Sequence, residues 1–361
     1  MPDLLRAVDE AEAVEQLHAL GCTDGLPVIV PTRERVDRMV LATGLDGDLV
    51  LGEMGPGRGV ATVEKIAVAA VMAGCLPDHV PLVIAAVRAV LDPRFDLTEM
   101  QATTHCTAPL ILVNGPVRER CGPVASGFGA LGPGHRANAC VGRALRLAMI
   151  NVGGGRPGTS DMALHGHPGK FTYCLAEAEE ASPFEPLHVS LGFAPEDGVV
   201  TVIGAEAPHS VIYSPVGDPA RDADGLLTAL AHGVAGLASN NAVLRGGQAV
   251  IVLNPDHAQV LAGAGLDRAA VQRALHERCA WTTEELAAVS GGLARGEPGA
   301  RHGCFHAPED LLLLVAGGGG LYSMAMPTWC AGPHRNRAVS VRVETEQACA
   351  VPWLAAEAPS P

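Results

Sequence analysis

Leu110-Ile111-Leu112-Val113, followed at once by Asn114-Gly115-Pro116, is the stretch whose reading decides the fold class. Four β-prone apolar residues closed by a turn suit a strand covered on both faces, because a strand with one wet face alternates apolar and polar side chains. Val250-Ile251-Val252-Leu253 repeats the pattern ahead of Asn254-Pro255, and Leu311 to Val315 repeats it ahead of Gly317 to Gly320. Val199 to Ile203 is a further strand candidate. Such runs predict an α/β fold with a mostly parallel or mixed sheet flanked by helices.

Helical patterns separate the strands. Thr62 precedes a 3.6-period apolar stripe (Val63, Ile66, Ala67, Ala70, Val71) that Gly74 and Pro77 close, which predicts a helix over 62–74. Further helices are expected over 82–91, 136–152, 226–237 and 268–279. Thr282 with Glu285 three residues on is a capping box that starts another at Thr283. The likeness of the segments near 110 and 250 admits two halves that share a strand-turn-helix plan. Residues 1–158 and 159–354 are accordingly expected to form N-terminal and C-terminal α/β lobes, and residues 355–361 a frayed tail.

A chain of 361 residues, 48% apolar and 18% charged, can bury a large core and is neither disordered nor a disulfide-stapled miniature. Its formal charge of -14 repels a phosphate backbone and an anionic membrane surface, so the expected partner is a small molecule and not nucleic acid or membrane. The charged amino terminus (Asp3, Arg6, Asp9, Glu10) lacks the apolar stretch of a secretion signal. Ten scattered cysteines with no C-x-x-C pair suit buried thiols in the reducing cytoplasm.

Fourteen histidines, several beside Gly, Pro or a carboxylate, carry the chemistry. His165 and His167, at i and i+2 in His165-Gly166-His167-Pro168-Gly169-Lys170, project to one face if extended, and Glu179 or Glu180 would add a carboxylate. His302, Cys304 and His306 form a second such set. Gln101 to Thr107 places Thr104, His105 and Cys106 at a strand entrance, whereas His209 and His257 follow the ends of the strands at 199–203 and 250–253. In an open α/β sheet ligands gather at the carboxyl ends of strands, so His105 joins the others only where the local order is antiparallel or a loop folds back. Arg136 and Asn138 open a helix behind Gly132-Pro133-Gly134, where backbone N–H groups and a guanidinium would suit an anion. Neither that segment nor Gly153 to Gly158 matches a nucleotide fingerprint.

Several of these stretches together resemble a bacterial family, the longer companions of short selenocysteine or cysteine proteins named for a U/C-G-S-C motif. They are Asp24-Gly25-Leu26-Pro27-Val28, Thr62 to Cys75 with Pro77, Gln101 to His105, Gly134-His135-Arg136-Ala137-Asn138, His167-Pro168-Gly169-Lys170, Glu179-Glu180-Ala181-Ser182-Pro183 and Asn254-Pro255-Asp256-His257-Ala258. The U/C-G-S-C motif itself is absent, and Cys106 stands where the family often has proline. The resemblance implies a cytoplasmic bacterial enzyme-like protein and supplies no reaction.

The residues therefore predict a lyase or hydrolase acting on a small polar or anionic molecule. His105, His167, Glu179, Glu180, His209 and His257 would be the proton-transfer groups, and Thr104, Arg136, Asn138, Lys170 and Asn240 would hold the substrate. A divalent metal such as zinc would sit on His105, His165, His167 and His209. The alternatives are thiol-dependent redox or transfer chemistry at Cys106 or Cys304, and a non-catalytic binding subunit of a small (seleno)cysteine protein; a homo-oligomer or a small partner protein is the expected assembly.

Overall fold

In a computed structural model that describes residues 5–293 and 295–344, the apolar runs become strands of two four-stranded sheets, central at 110–113, 199–203 and 250–253 and at an edge at 311–315. In chain order the strands are β1 (Val50–Met54), β2 (Gly59–Thr62), β3 (Ala108–Asn114), β4 (Cys174–Ala176), β5 (Val199–Ala205), β6 (His209–Ile212), β7 (Ala249–Leu253), β8 (Ala280–Thr282), β9 (Arg301–Gly303), β10 (Leu311–Val315), β11 (Tyr322–Met326) and β12 (Val339–Arg342). The large sheets run β12-β5-β3-β4 and β10-β7-β11-β6, while β1-β2 and β8-β9 are separate pairs. β3 is parallel to β4 and β7 to β10, and the other pairs of the large sheets are antiparallel. The fold is thus mixed α/β. The tail expected at 355–361 lies outside the described residues.

Side chains alternate across a strand, and here both sides find apolar cover. Leu110, Leu112, Leu175 and Ile203 of the first sheet meet Val250, Val252, Leu312 and Leu314 of the second in one buried cluster. Ile111, Val113, Val200 and Val202 face the other way, onto helices Val63–Ala73, Val80–Leu91 and Arg136–Asn151. Ile251, Leu253, Leu311 and Leu313 do the same onto helices Pro219–Val234, Pro255–Gly263 and Arg268–Arg278. The order of layers is helix, sheet, sheet, helix. The expected two-faced burial is present, but one cover of each sheet is its fellow sheet and not a second layer of helices.

The two sheets repeat one plan. Read from one edge, β4-β3-β5-β12 and β10-β7-β11-β6 have the same sequence of parallel, antiparallel and antiparallel neighbours. The fourth strand is exchanged: β6 follows β5 in the chain yet pairs with β11, and β12 follows β11 yet pairs with β5. At the crossing, Ala205 bridges Thr328 and the Glu206 N–H donates to the Pro327 carbonyl at 2.9 Å. The first sheet therefore draws its strands from both sides of residue 158.

Helix ends follow their local chemistry. Thr62 accepts from the Lys65 N–H, Gly74 closes that helix in the left-handed region at φ 86°, and Thr282 with Glu285 forms the reciprocal cap. The helix expected from 226 begins seven residues earlier, at Pro219, because Asp218 caps it by accepting from the Arg221 N–H. Asp222, ahead of the expected start, is inside the helix and accepts from the Val216 and Gly217 N–H groups.

His79, just ahead of the helix Val80–Leu91, is buried, and its Nδ1 accepts from the Leu76 N–H. Burial, with the Arg136 guanidinium adding to it, lowers its pKa from 6.5 to about 4. A depressed histidine pKa stabilises the fold above pH 6.5, and the contribution is lost as pH falls through 4. At about 1.36 kcal/mol per unit this amounts to about 3 kcal/mol. Urea unfolding at pH 7 and pH 4 should show His79→Gln losing about that much less stability than the wild type. Equal losses in the two proteins would contradict the assignment.

Candidate active site

The register of β3 and β5 creates the first contact of the site. Ala108 pairs with Ala205, so the residues just before β3 lie beside the residue just after β5. His105 Nε2 is 2.8 Å from Glu206 Oε1, and Asn240 Nδ2 donates to His105 Nδ1 at 2.7 Å. Asn240 arrives at the start of the short helix Asn240–Leu244, which Ser239 caps through the Ala242 N–H. With Nδ1 accepting, the His105 proton sits on Nε2 and points at the carboxylate. Both side chains are about a quarter exposed (24% and 30%), so the pair is reachable and only partly desolvated. The Glu206 carbonyl is also fixed, accepting from the buried Tyr173 hydroxyl at 2.8 Å.

A second strand of chain folds alongside. The Met162 N–H donates to the Gln101 carbonyl and the Leu164 N–H to the Thr104 carbonyl, so residues 162–166 track residues 101–106. The Gly166 N–H then donates to Cys106 Sγ at 3.2 Å. The turn that follows holds His167, whose Nδ1 accepts from the Gly169 N–H at 3.1 Å and whose buried Nε2 faces the Ala205 carbonyl. Burial lowers the His167 pKa, with the Lys170 and Arg146 cations adding to it, so the ring is neutral at pH 7 with its proton on Nε2. Its ring packs edge-on to Tyr173 at 5.7 Å.

Lys170 reaches both oxygens of buried Asp161 at 2.7 Å, and Arg146 Nη1 lies 3.7 Å from the same carboxylate. These groups open onto a cavity of about 600 Å³ lined by Arg146, Arg156, Asp161, His165, His167 and Lys170, with Ile150 and Phe171 as apolar wall. Arg156 donates to the Gly21 carbonyl at 2.6 Å and has no carboxylate partner among the described residues. Asp24, also at the cavity, is held by Arg143 at 2.7 Å.

Of the residues expected from sequence, the structure brings together His105, His165, His167, Lys170 and Asn240, with Cys106 among them. It separates the rest. Glu179 and Glu180 lie at the opposite end of β3: Glu179 accepts from Asn114 and the Gly115 N–H, and both acids pair with Arg118. The Arg118 hydrogen bond holds Glu180 at a pKa of about 2, the condition of an ion-pair anchor and not of a base. His257 is buried between Ser323 Oγ (2.7 Å) and the Tyr213 carbonyl (3.1 Å), which occupies both ring nitrogens. His209 is exposed at the start of β6.

Arg136 turns away, donating twice to the Gly74 carbonyl, and Asn138 is buried bonding Ala125, Ala130 and Cys174. Thr104 contributes its carbonyl to the loop pairing. Cys304 is buried, and desolvation pushes its thiol up to about 12, while His302 bonds Thr283. Among the described residues no three His, Cys, Asp or Glu side chains converge as metal ligands, so His105, His165, His167 and His209 do not form the expected donor set.

Sequence reasoning missed Glu206 as a site residue, along with Asp161, Arg146 and Arg156. Arg146 carried a signal, a charge flanked by Leu145 and Leu147 inside an apolar helix; Glu206 carried only its place at a strand end. Compared with protein-family models, curated proteins and solved structures, the chain finds no match. No helix among the described residues is long and apolar enough to cross a membrane.

Proposed function

We propose that the protein is an enzyme of lyase or hydrolase type that acts on a small polar or anionic organic molecule by proton transfer at His105 and Glu206. The single observation that carries this reading is the 2.8 Å His105–Glu206 hydrogen bond, with Asn240 fixing the other ring nitrogen, beside a cavity of about 600 Å³. A carboxylate bonded to an imidazole can take a proton and share it with the ring, which is the task of a general base. Neutral His167, which lines the cavity, would turn its N–H from the Ala205 carbonyl to a substrate oxygen as negative charge develops there. Lys170 and Arg146, neutralised in part by Asp161, would lend the cavity positive charge without binding the substrate directly.

Indicator assays of proton release from small carboxylic esters, and ultraviolet assays of the enoate formed when a small hydroxy acid loses water, test the reading. Turnover should be found, and Glu206→Gln should slow it at least about 10²-fold; an unchanged rate in that variant would remove the proposal.

A second reading, thiol chemistry, is supported by Cys106 alone: its side chain is half-buried and its sulfur accepts the N–H of Gly166, a residue that lines the cavity. Rapid, stoichiometric alkylation of Cys106 at pH 7 would favour it. The scattered cysteines, nine of them described and none of those nine in a disulfide, support a cytoplasmic setting, and the charge of -14 supports a small-molecule partner over nucleic acid. The motif stretches support kinship with the companions of the U/C-G-S-C proteins.

A further inference from the structure

We infer that the cavity takes a small organic acid whose carboxylate is clamped by Arg156; this rests on the proposed reaction site and names its substrate class. Three cations, Arg146, Arg156 and Lys170, line the cavity against one carboxylate, Asp161, that is not already paired outside the cation set, since Asp24 belongs to Arg143. The cavity thus carries an excess of positive charge inside a chain of formal charge -14, which favours an anion there. Lys170 and Arg146 are committed to Asp161. Arg156 is exposed and spends one donor on the Gly21 carbonyl, which leaves the rest of its planar fork for a ligand.

The anion is a carboxylate and not a phosphate for a reason written in the loops. Phosphate sites use backbone N–H groups as a cradle. Here the glycine N–H groups of the loops around the cavity are taken: Gly154 donates to Ile150, Gly155 to Met149, Gly158 to Asp161, Gly166 to Cys106 and Gly169 to His167. A side-chain guanidinium with no backbone nest matches a planar carboxylate in two parallel bonds. Ile150 and Phe171 supply an apolar wall for a short carbon body, whose far end would reach His167.

Isothermal titration of the purified protein with butyrate, butyramide and inorganic phosphate tests the inference, with thermal melts to verify that each variant is folded. Butyrate should bind, butyramide should not, and phosphate should bind more weakly than butyrate. Arg156→Gln should weaken butyrate by about 10- to 100-fold, the range for a charge-assisted hydrogen bond, with Arg156→Lys between the two. Phosphate binding tighter than butyrate, or an Arg156→Gln variant that binds butyrate normally, would overturn it. His105→Asn should keep its butyrate affinity. If that variant also keeps its turnover, the proton-transfer reading fails while the carboxylate clamp stands.

Discussion

Replacing His105 by Asn lowers turnover by about 10² to 10⁴-fold, the range expected when a positioned proton-transfer group is removed. The effect should fall on kcat and not on ligand affinity, because His105 lies beside the cation-lined cavity and is not among its lining residues. Asparagine offers a polar group of similar reach near the ring Nδ1 position, so Asn240 and the local backbone have no cause to move, but it can neither accept nor relay a proton. The comparison that gives the result its meaning is His209→Asn. His209 is exposed at the start of β6, only three residues from Glu206, and its replacement should leave turnover within twofold. A large loss in both variants would mean that the strand crossing near Glu206 had been disturbed, and a small loss in His105→Asn would remove His105 from the chemistry.

Leu112→Ala should destabilise the fold by about 2 to 5 kcal/mol, read by urea unfolding. Leu112 is fully buried on the face of β3 that meets the second sheet, among Leu110, Ile203, Val250, Val252 and Leu314. Its removal leaves a cavity between two sheets whose backbones are each pinned by helices on the far side, so collapse to fill the space is restricted. Against a typical total of about 5 to 15 kcal/mol, this single change removes a large share of the stability. Leu41→Ala, on the exposed side of the helix Arg33–Thr43, is the control and should change stability by no more than about 0.5 kcal/mol. Similar small effects at both positions would contradict the sheet-on-sheet core.

What could be read in advance divides along the range of the interactions. The cap at Thr62, the capping box at Thr282 and the runs at 110–113, 250–253 and 311–315 are local or nearly so, and each formed where its residues indicated. β4 is three residues long and β6 is mostly exposed, so neither carries a strong run or clean alternation, and both became strands through their neighbours. The exchange of β6 and β12 between sheets leaves no trace in a periodicity.

The site divides in the same way. His105 needed an antiparallel neighbour to meet a strand end, and β5 supplied it, with Glu206 as the residue that arrives. Glu179 and Glu180 were chosen for their closeness in sequence to His167, but β4 carries the chain to the other end of the sheet in between, where Arg118 waits. Arg136 and Arg156 were indistinguishable as glycine-flanked cations. One spends its guanidinium on the Gly74 carbonyl and the other faces the cavity, a difference set by packing alone.

The central claim is that His105, Glu206 and His167 serve one cavity that receives a small carboxylate, and histidine side-chain NMR tests it most directly. In a butyrate titration of the ¹⁵N-labelled protein, the imidazole signals of His105 and His167 should move together along one binding curve, while those of His209 and His257 stay in place. Movement confined to His209 or His257, or no coordinated change at His105 and His167 while butyrate binds, would contradict it.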